Sequence, residues 1–198
     1  MRSGIILAGG RSSRFGGGEK SLRAVHGKPM ICSVRGALRG VVDEIIVSVR
    51  DEEQRDRVFP YLSEDRNVFA YDERPGAGPL AGILAALRAA RGEYVAVVAC
   101  DMPFINARAI DLLFERAAGH DAAVPASPEG FLEPLHAVYR REAMIAAAEQ
   151  SLREGESRLS SPLKRLRDVV YVPLEDIRRV DPGLETFRNI NRAEDLPP

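Results

Sequence analysis

The sequence predicts an α/β fold built on a doubly wound, mostly parallel sheet, and three features carry the prediction. Residues 4–8, 44–49 and 94–99 are almost continuously apolar, which is how a strand covered on both faces reads in a parallel sheet. Helix-like stretches separate these runs, and such alternation implies right-handed crossovers. A glycine-rich segment follows the first run directly, at the sheet edge where open α/β folds bind ligands.

In chain order, a strand at 4–8 leads through the glycine-rich segment to a helix over 29–39, with Pro29 in its first turn. A strand at 44–49 precedes a helix over 51–59 that opens with Asp51, Glu52 and Glu53, acids that favour a helix start. A strand at 67–71 precedes an Ala/Leu-rich helix over 80–91, stopped by Gly92 as a C-terminal cap. The strand at 94–99 precedes a helix from Asn106 to the stop at Gly119. The second half is less regular. It offers a strand at 122–125, a Pro/Glu/Gly turn at 128–130, a strand at 132–139, an amphipathic helix over 140–153, and late strands at 169–172 and 185–190. Residues 1–198 read as one domain. Residues 1–125 hold the glycine-rich segment and read as the ligand-binding half. Residues 126–198 read, by elimination, as the face for a second substrate.

A chain of 198 residues buries a sizeable core without disulfide or metal staples. Its formal net charge of -1 argues against a general nucleic-acid binder, which carries a basic surplus. Cys32 and Cys100 stand far apart and form no CxxC pair, which excludes a secreted disulfide framework and a zinc site and favours the cytoplasm. The apolar run at 4–10 is too short for a signal peptide, and no stretch approaches the ~20 apolar residues of a membrane helix.

Residues 7–20 read LAGGRSSRFGGGEK. Glycines such as Gly9 and Gly10 let backbone N–H groups approach a polyphosphate, and Arg14 and Lys20 add charge that neutralises phosphate oxygens. The other reading is a flexible turn with solvated arginines. GxxxxGK[ST] is absent, because Glu19 and not glycine precedes Lys20, and GxGxxG is absent too.

Asp101 ends the most apolar run of the chain, at the carboxyl edge of a central strand. A carboxylate there is a natural Mg²⁺ ligand, since Mg²⁺ commonly takes only one or two protein carboxylates with phosphates and water. It is otherwise a cap for the turn before Pro103. Asp72 follows the third strand at the same edge, as a second ligand-facing acid or as a turn residue. The run from Gly76 through Gly78 to Gly82 brings another backbone close to the ligand, or starts a helix at Pro79.

Six segments in order resemble the MobA family of molybdenum cofactor guanylyltransferases: LAGGRSSRFGGGEK, HGKPM at 26–30, GPLAGI at 78–83, CDMPF at 100–104, PLHAVY at 134–139 and NINRAEDL at 189–196. The resemblance implies a Rossmann-like three-layer α/β/α sandwich. It implies transfer of GMP from GTP to molybdopterin-type molybdenum cofactor, with release of pyrophosphate and with Mg²⁺ as cofactor. Leu7, Ala8, Gly9, Lys20 and Asp72 are then expected to touch the nucleotide, with Asp101 on Mg²⁺ beside the phosphates. Ser48 aligns with a nucleotide-contact position, often Asn in the family. Asn189 and Asn191 match a late asparagine pair on the acceptor side; two residues apart, they share one face of a strand. Proteins of cofactor biosynthesis and molybdoenzyme maturation are the partners implied. Phe15 stands for the usual Met, Glu19 for Asp, and Gly16–Gly18 lengthens the loop.

The chemistry matches the residues present. The acceptor is a phosphate monoester, whose second pKa near ~6 leaves it largely dianionic at about pH 7. No strong protein base is required, and no Ser/His/Asp or Cys/His set is evident. Two other readings stand beside this one. One is cytidylyl transfer to molybdopterin, or guanylyl transfer to cobinamide phosphate or phospholactate; the other is a GTP-binding module without catalysis. Gly9 is the family's guanine-type signature, and Lys20 with Asp101 favours catalysis. His26 reads as a turn residue and His136 as structural or acceptor-facing. Lys164–Arg167 reads as a solvated face or an attractor of the anionic substrate.

Overall fold

The structure, a computed structural model, describes residues 1–9, 19–62, 67–72, 78–192 and 195. Its strands and helices are β1 (Arg2–Leu7), β2 (Ala24–Val25), β3 (Lys28–Pro29), α1 (Met30–Leu38), β4 (Glu44–Val49), α2 (Glu52–Val58), β5 (Val68–Tyr71), α3 (Pro79–Ala89), β6 (Tyr94–Ala99), α4 (Ala107–Ala117), β7 (Ala122–Ala126), β8 (His136–Arg140), α5 (Arg141–Arg153), α6 (Ser160–Leu163), β9 (Val169–Pro173) and α7 (Leu174–Arg178).

Seven strands form one sheet in the order β5-β4-β1-β6-β8-β7-β9. All neighbours pair in parallel except those of β8, which runs against both β6 and β7. The reversed strand follows from a short connection: Ser127 and Gly130 close a turn after β7, and the chain doubles back as β8. β8 is also shorter than the strand expected from residue 132.

Alternate residues of each strand feed opposite cores, which makes the fold three layers. Ile6, Val47 and Val98 pack with Ile31 and Val34 of α1, Ile110 of α4 and Ile177 of α7. Ile5, Ile46 and Val97 pack on the other face with Ile83 and Leu87 of α3, Met144 of α5 and Leu163 beside them. Strands buried on both faces need apolar residues at every position, hence the unbroken runs.

Helix starts have local causes. Asp51 caps α2 by accepting from the Gln54 N–H at 2.7 Å, and Asn106 caps α4 by accepting from that of Arg108 at 2.9 Å. Three expectations need correction. Pro29 ends β3 and precedes α1 rather than lying in its first turn, because residues 24–29 form a small hairpin whose turn holds His26 and Gly27 at positive φ. Gly92 does not cap α3, which ends at Ala89 with an extended Ala90; its backbone lies against Ser3, leaving no room for a side chain. Residues 185–190 hold no strand, only a 3-10 turn at Glu185–Phe187. There the Asp181 carboxylate takes the Thr186 N–H at 2.8 Å and folds the segment back on itself.

Successive strands go from β1 outward to β4 and β5, then cross to β6 on the other side of β1. The carboxyl ends of β1 and β6 therefore flank a topological switch point, the usual ligand crevice of such sheets.

Candidate active site

Register brings the ends of three strands level. Leu7 pairs with both Ser48 and Ala99, so the turns after β1 and β6 emerge side by side. The ladder continues briefly beyond them: Cys100 N–H donates to the Leu7 carbonyl at 3.1 Å, and Ala8 N–H to that of Ser48 at 2.9 Å. Asp101 thus stands at the mouth of the crevice. Cys100 behind it is buried, and burial pushes its thiol up to about 12, as suits a small hydrophobe rather than a nucleophile.

Lys20 begins a 3-10 turn over Lys20–Leu22. Its ammonium donates to Asp101 Oδ2 at 2.6 Å and to Asn191 Oδ1 at 3.0 Å. The Lys20 and Asp101 side chains are 18% and 22% exposed, open enough to meet a ligand and shielded enough for charge to act strongly. Asn191 arrives there because the Ile190 N–H donates to the Asp101 carbonyl at 2.9 Å, with Ile190 itself buried. Asp195 fixes the next turn by accepting from the N–H groups of Asn191 and Arg192, each at 2.7 Å.

Lys20, Asp101 and Asn191, expected from sequence, thus share one cluster. Asn189 is exposed one residue before Ile190, in a segment that is not the strand expected for this pair. Leu7 and Ala8 engage their backbones with neighbouring strands, and Gly9 follows them with Arg50 N 3.6 Å from where a Cβ would stand. Ser48 is buried, and its hydroxyl donates to the Gly82 carbonyl at 3.2 Å, tying β4 to α3. Asp72 extends the β4–β5 ladder through its N–H, 3.2 Å from the Val49 carbonyl. Gly78 caps α3 at φ +87°, and a Cβ there would stand 2.9 Å from that of Ser157, so this position requires glycine. Gly10 and Arg14 lie outside the described residues.

Two residues went unnoticed in the sequence. Gln54 is completely buried, hidden among the charges of α2, and its Nε2 donates to the Ala8 carbonyl at 2.8 Å and to Glu19 Oε1 at 2.7 Å. The cue was the single uncharged polar residue of a charged helix, four positions before Val58. Glu133 is half-buried, and burial pushes its carboxyl up. His136 is buried on β8. Its Nε2 lies 3.0 Å from Thr186 Oγ1, which also accepts the Asn106 N–H at 3.0 Å, and its ring meets Phe187 edge-on at 4.9 Å. This histidine is structural and locks the segment that carries Asn191.

Among the described residues no three or more His, Cys, Asp or Glu side chains cluster in a way that could hold a metal. Asp101 nonetheless suits Mg²⁺, which takes one or two carboxylates and completes its shell with phosphates and water. No helix among the described residues is long and apolar enough to cross a membrane.

Residues 4–169 match the pattern of a family described as the MobA-like NTP transferase domain. The chain is 46% identical over 199 residues to a probable molybdenum cofactor guanylyltransferase of Methanosarcina mazei, covering 99% of this chain and 88% of that protein. It is 36% identical over 195 residues to the molybdenum cofactor guanylyltransferase of Desulfosudis oleivorans, covering 98% and 92%. Its fold is similar to the crystal structure of molybdopterin-guanine dinucleotide biosynthesis protein A from Archaeoglobus fulgidus, with TM-score 0.81 and 33% identity across 98% of this chain and 94% of that one.

Proposed function

We propose, from the fact that this chain belongs to the family of MobA-like NTP transferase domains, that it transfers GMP from GTP to a molybdopterin-type cofactor and releases pyrophosphate. The observation that carries the reading is the meeting of Lys20, Asp101 and Asn191 at the switch point, 2.6 and 3.0 Å apart through one ammonium. Names of similar proteins support the guanylyl donor and the molybdopterin acceptor.

In the proposed reaction, a phosphate oxygen of the acceptor attacks the α-phosphorus of GTP. The new P–O bond forms as the bond from the α-phosphorus to the bridging oxygen breaks, and pyrophosphate leaves with the electron pair. The acceptor phosphate is already dianionic near neutral pH, so no protein base takes a proton. What the protein supplies is position and charge. Lys20 holds phosphate oxygens by direct contact, exchanging its present partners for them. The backbone N–H of Gly9, directly after Leu7 and Ala8, lines the nucleotide side, with Ser48, Asp72 and Gly78 at the same sheet edge. Asn191, with Asn189 beside it, orients the acceptor from residues 126–198. Asp101 would hold Mg²⁺, which when bound offsets negative charge on the phosphates.

The test is an NTP panel. Protein, Mg²⁺ and molybdopterin are mixed with GTP, CTP, ATP or UTP, and pyrophosphate is measured. Acceptor-dependent release with GTP alone supports the reading. Preference for CTP contradicts the guanylyl assignment and keeps the reaction class.

A further inference from the structure

We infer that Gln54 is a positioning residue for nucleotide binding, because one buried amide fastens both stems of the glycine-rich loop. The inference rests on the functional reading above, since it gives that loop the nucleotide.

The α2 helix is charged around most of its circumference, with Glu52, Glu53, Arg55, Asp56 and Arg57. Gln54 and Val58, one turn apart, are its buried residues. A buried amide is retained only if its donors and acceptor are used, and here they are. Gln54 Oε1 accepts from the Arg50 N–H at 2.7 Å. Its Nε2 donates to the Ala8 carbonyl at 2.8 Å, on the leading stem, and to Glu19 Oε1 at 2.7 Å, on the trailing stem. Glu19 Oε1 also accepts from the Ser21 hydroxyl at 3.3 Å.

The two stems are set by one side chain from a different element, α2. Ala8 lies on the leading stem directly after β1, and Glu19 immediately precedes Lys20, whose ammonium reaches Asp101 at 2.6 Å. Holding the Ala8 carbonyl and the Glu19 carboxylate on one amide fixes Glu19, and with it the adjacent Lys20, in the place from which the ammonium reaches Asp101. The chemistry also selects this residue type. Glutamate would turn lone pairs towards the Ala8 carbonyl and the Glu19 carboxylate. Asparagine is one methylene short. Methionine fills the space but leaves a carbonyl and a carboxylate without their donor. The gain belongs to the nucleotide side, since among the described residues the hydrogen bonds of Gln54 run to Arg50, Asp51, Ala8 and Glu19 and none runs to Asn191 or β8.

The experiment is equilibrium GTP binding together with steady-state kinetics for Gln54→Met, Glu19→Ala and Glu19→Gln, with Glu53→Ala on the exposed face of α2 as control. Gln54→Met should weaken GTP binding by about ten-fold or more and leave the KM for the acceptor unchanged. Glu19→Ala should shift GTP affinity the same way, and Glu19→Gln should recover most of that loss, because an amide oxygen still accepts from Gln54. Adding Glu19→Ala to Gln54→Met should cost little more, since Gln54→Met already removes the Gln54–Glu19 link. Wild-type GTP affinity in folded Gln54→Met, or equal shifts in both substrates' KM, would overturn the inference. If Gln54→Met does not fold, Glu19→Ala decides, because it sits on a partly exposed stem; unchanged GTP affinity there overturns the inference as well. Wild-type protein that binds no nucleotide would instead reject the functional reading itself, a distinguishable result.

Discussion

Lys20 Nζ and Asp101 Oδ2 stand 2.6 Å apart across 81 residues of sequence, and the same ammonium reaches Asn191, a further 90 residues on. Neither residue is held there by its own element alone. β6 presents Asp101, the turn after the loop presents Lys20, and the Ile190–Asp101 backbone bond delivers Asn191.

Lys20→Ala should lower kcat/KM by about a hundred-fold or more, on the scale of losing one charged stabiliser of the transition state. The fold should survive, because the Lys20 side chain is part-exposed and belongs to no hydrophobic core. Near wild-type turnover from folded protein would remove Lys20 from the mechanism.

Asp101→Asn should abolish the Mg²⁺ response. The assay is turnover against Mg²⁺ concentration. A curve superimposable on that of wild type would show that Asp101 is not the metal's carboxylate.

His136 makes stability depend on acid. Burial pushes its imidazole down to about 3 from the ordinary 6.5, so between these values the unfolded chain binds a proton that the folded chain refuses. This contribution is fully present above about 6.5 and is lost as pH falls from 6.5 towards 3, at up to about 1.4 kcal/mol per pH unit. Denaturant unfolding of His136→Gln across that window should show a shallower pH slope than wild type. Identical slopes would mean that the ring is protonated in the fold.

Gly92→Ala should destabilise the protein by about 1–3 kcal/mol or more, read as a lower denaturation midpoint. Its Cβ would stand 2.5 Å from Ser3 Oγ and 2.7 Å from the Ser3 backbone nitrogen, and backbone there cannot yield. The site lies at the amino ends of β1 and β6, so GTP affinity should not change. An unaltered midpoint would contradict the packing described.

What the sequence made legible is what short-range patterns encode. Strands buried on both faces announced β1, β4 and β6, and their carboxyl ends located Lys20 and Asp101. Long-range partners left weaker traces. Gly92 looks like a helix stop until Ser3 is seen against it. Gln54 looks like one more surface residue until Ala8 and Glu19 close over it. Residues 185–190 read as a late strand in the sequence, yet Asp181 and His136 bind Thr186 and coil the segment; only then does Asn191 meet Lys20.

The most direct test of guanylyl transfer is mass spectrometry of the acceptor after incubation with GTP labelled at the α-phosphate. The account predicts the labelled GMP moiety covalently joined to molybdopterin, with one pyrophosphate released per adduct, and loss of adduct in Lys20→Ala. Folded, GTP-binding protein that leaves molybdopterin unmodified would contradict it.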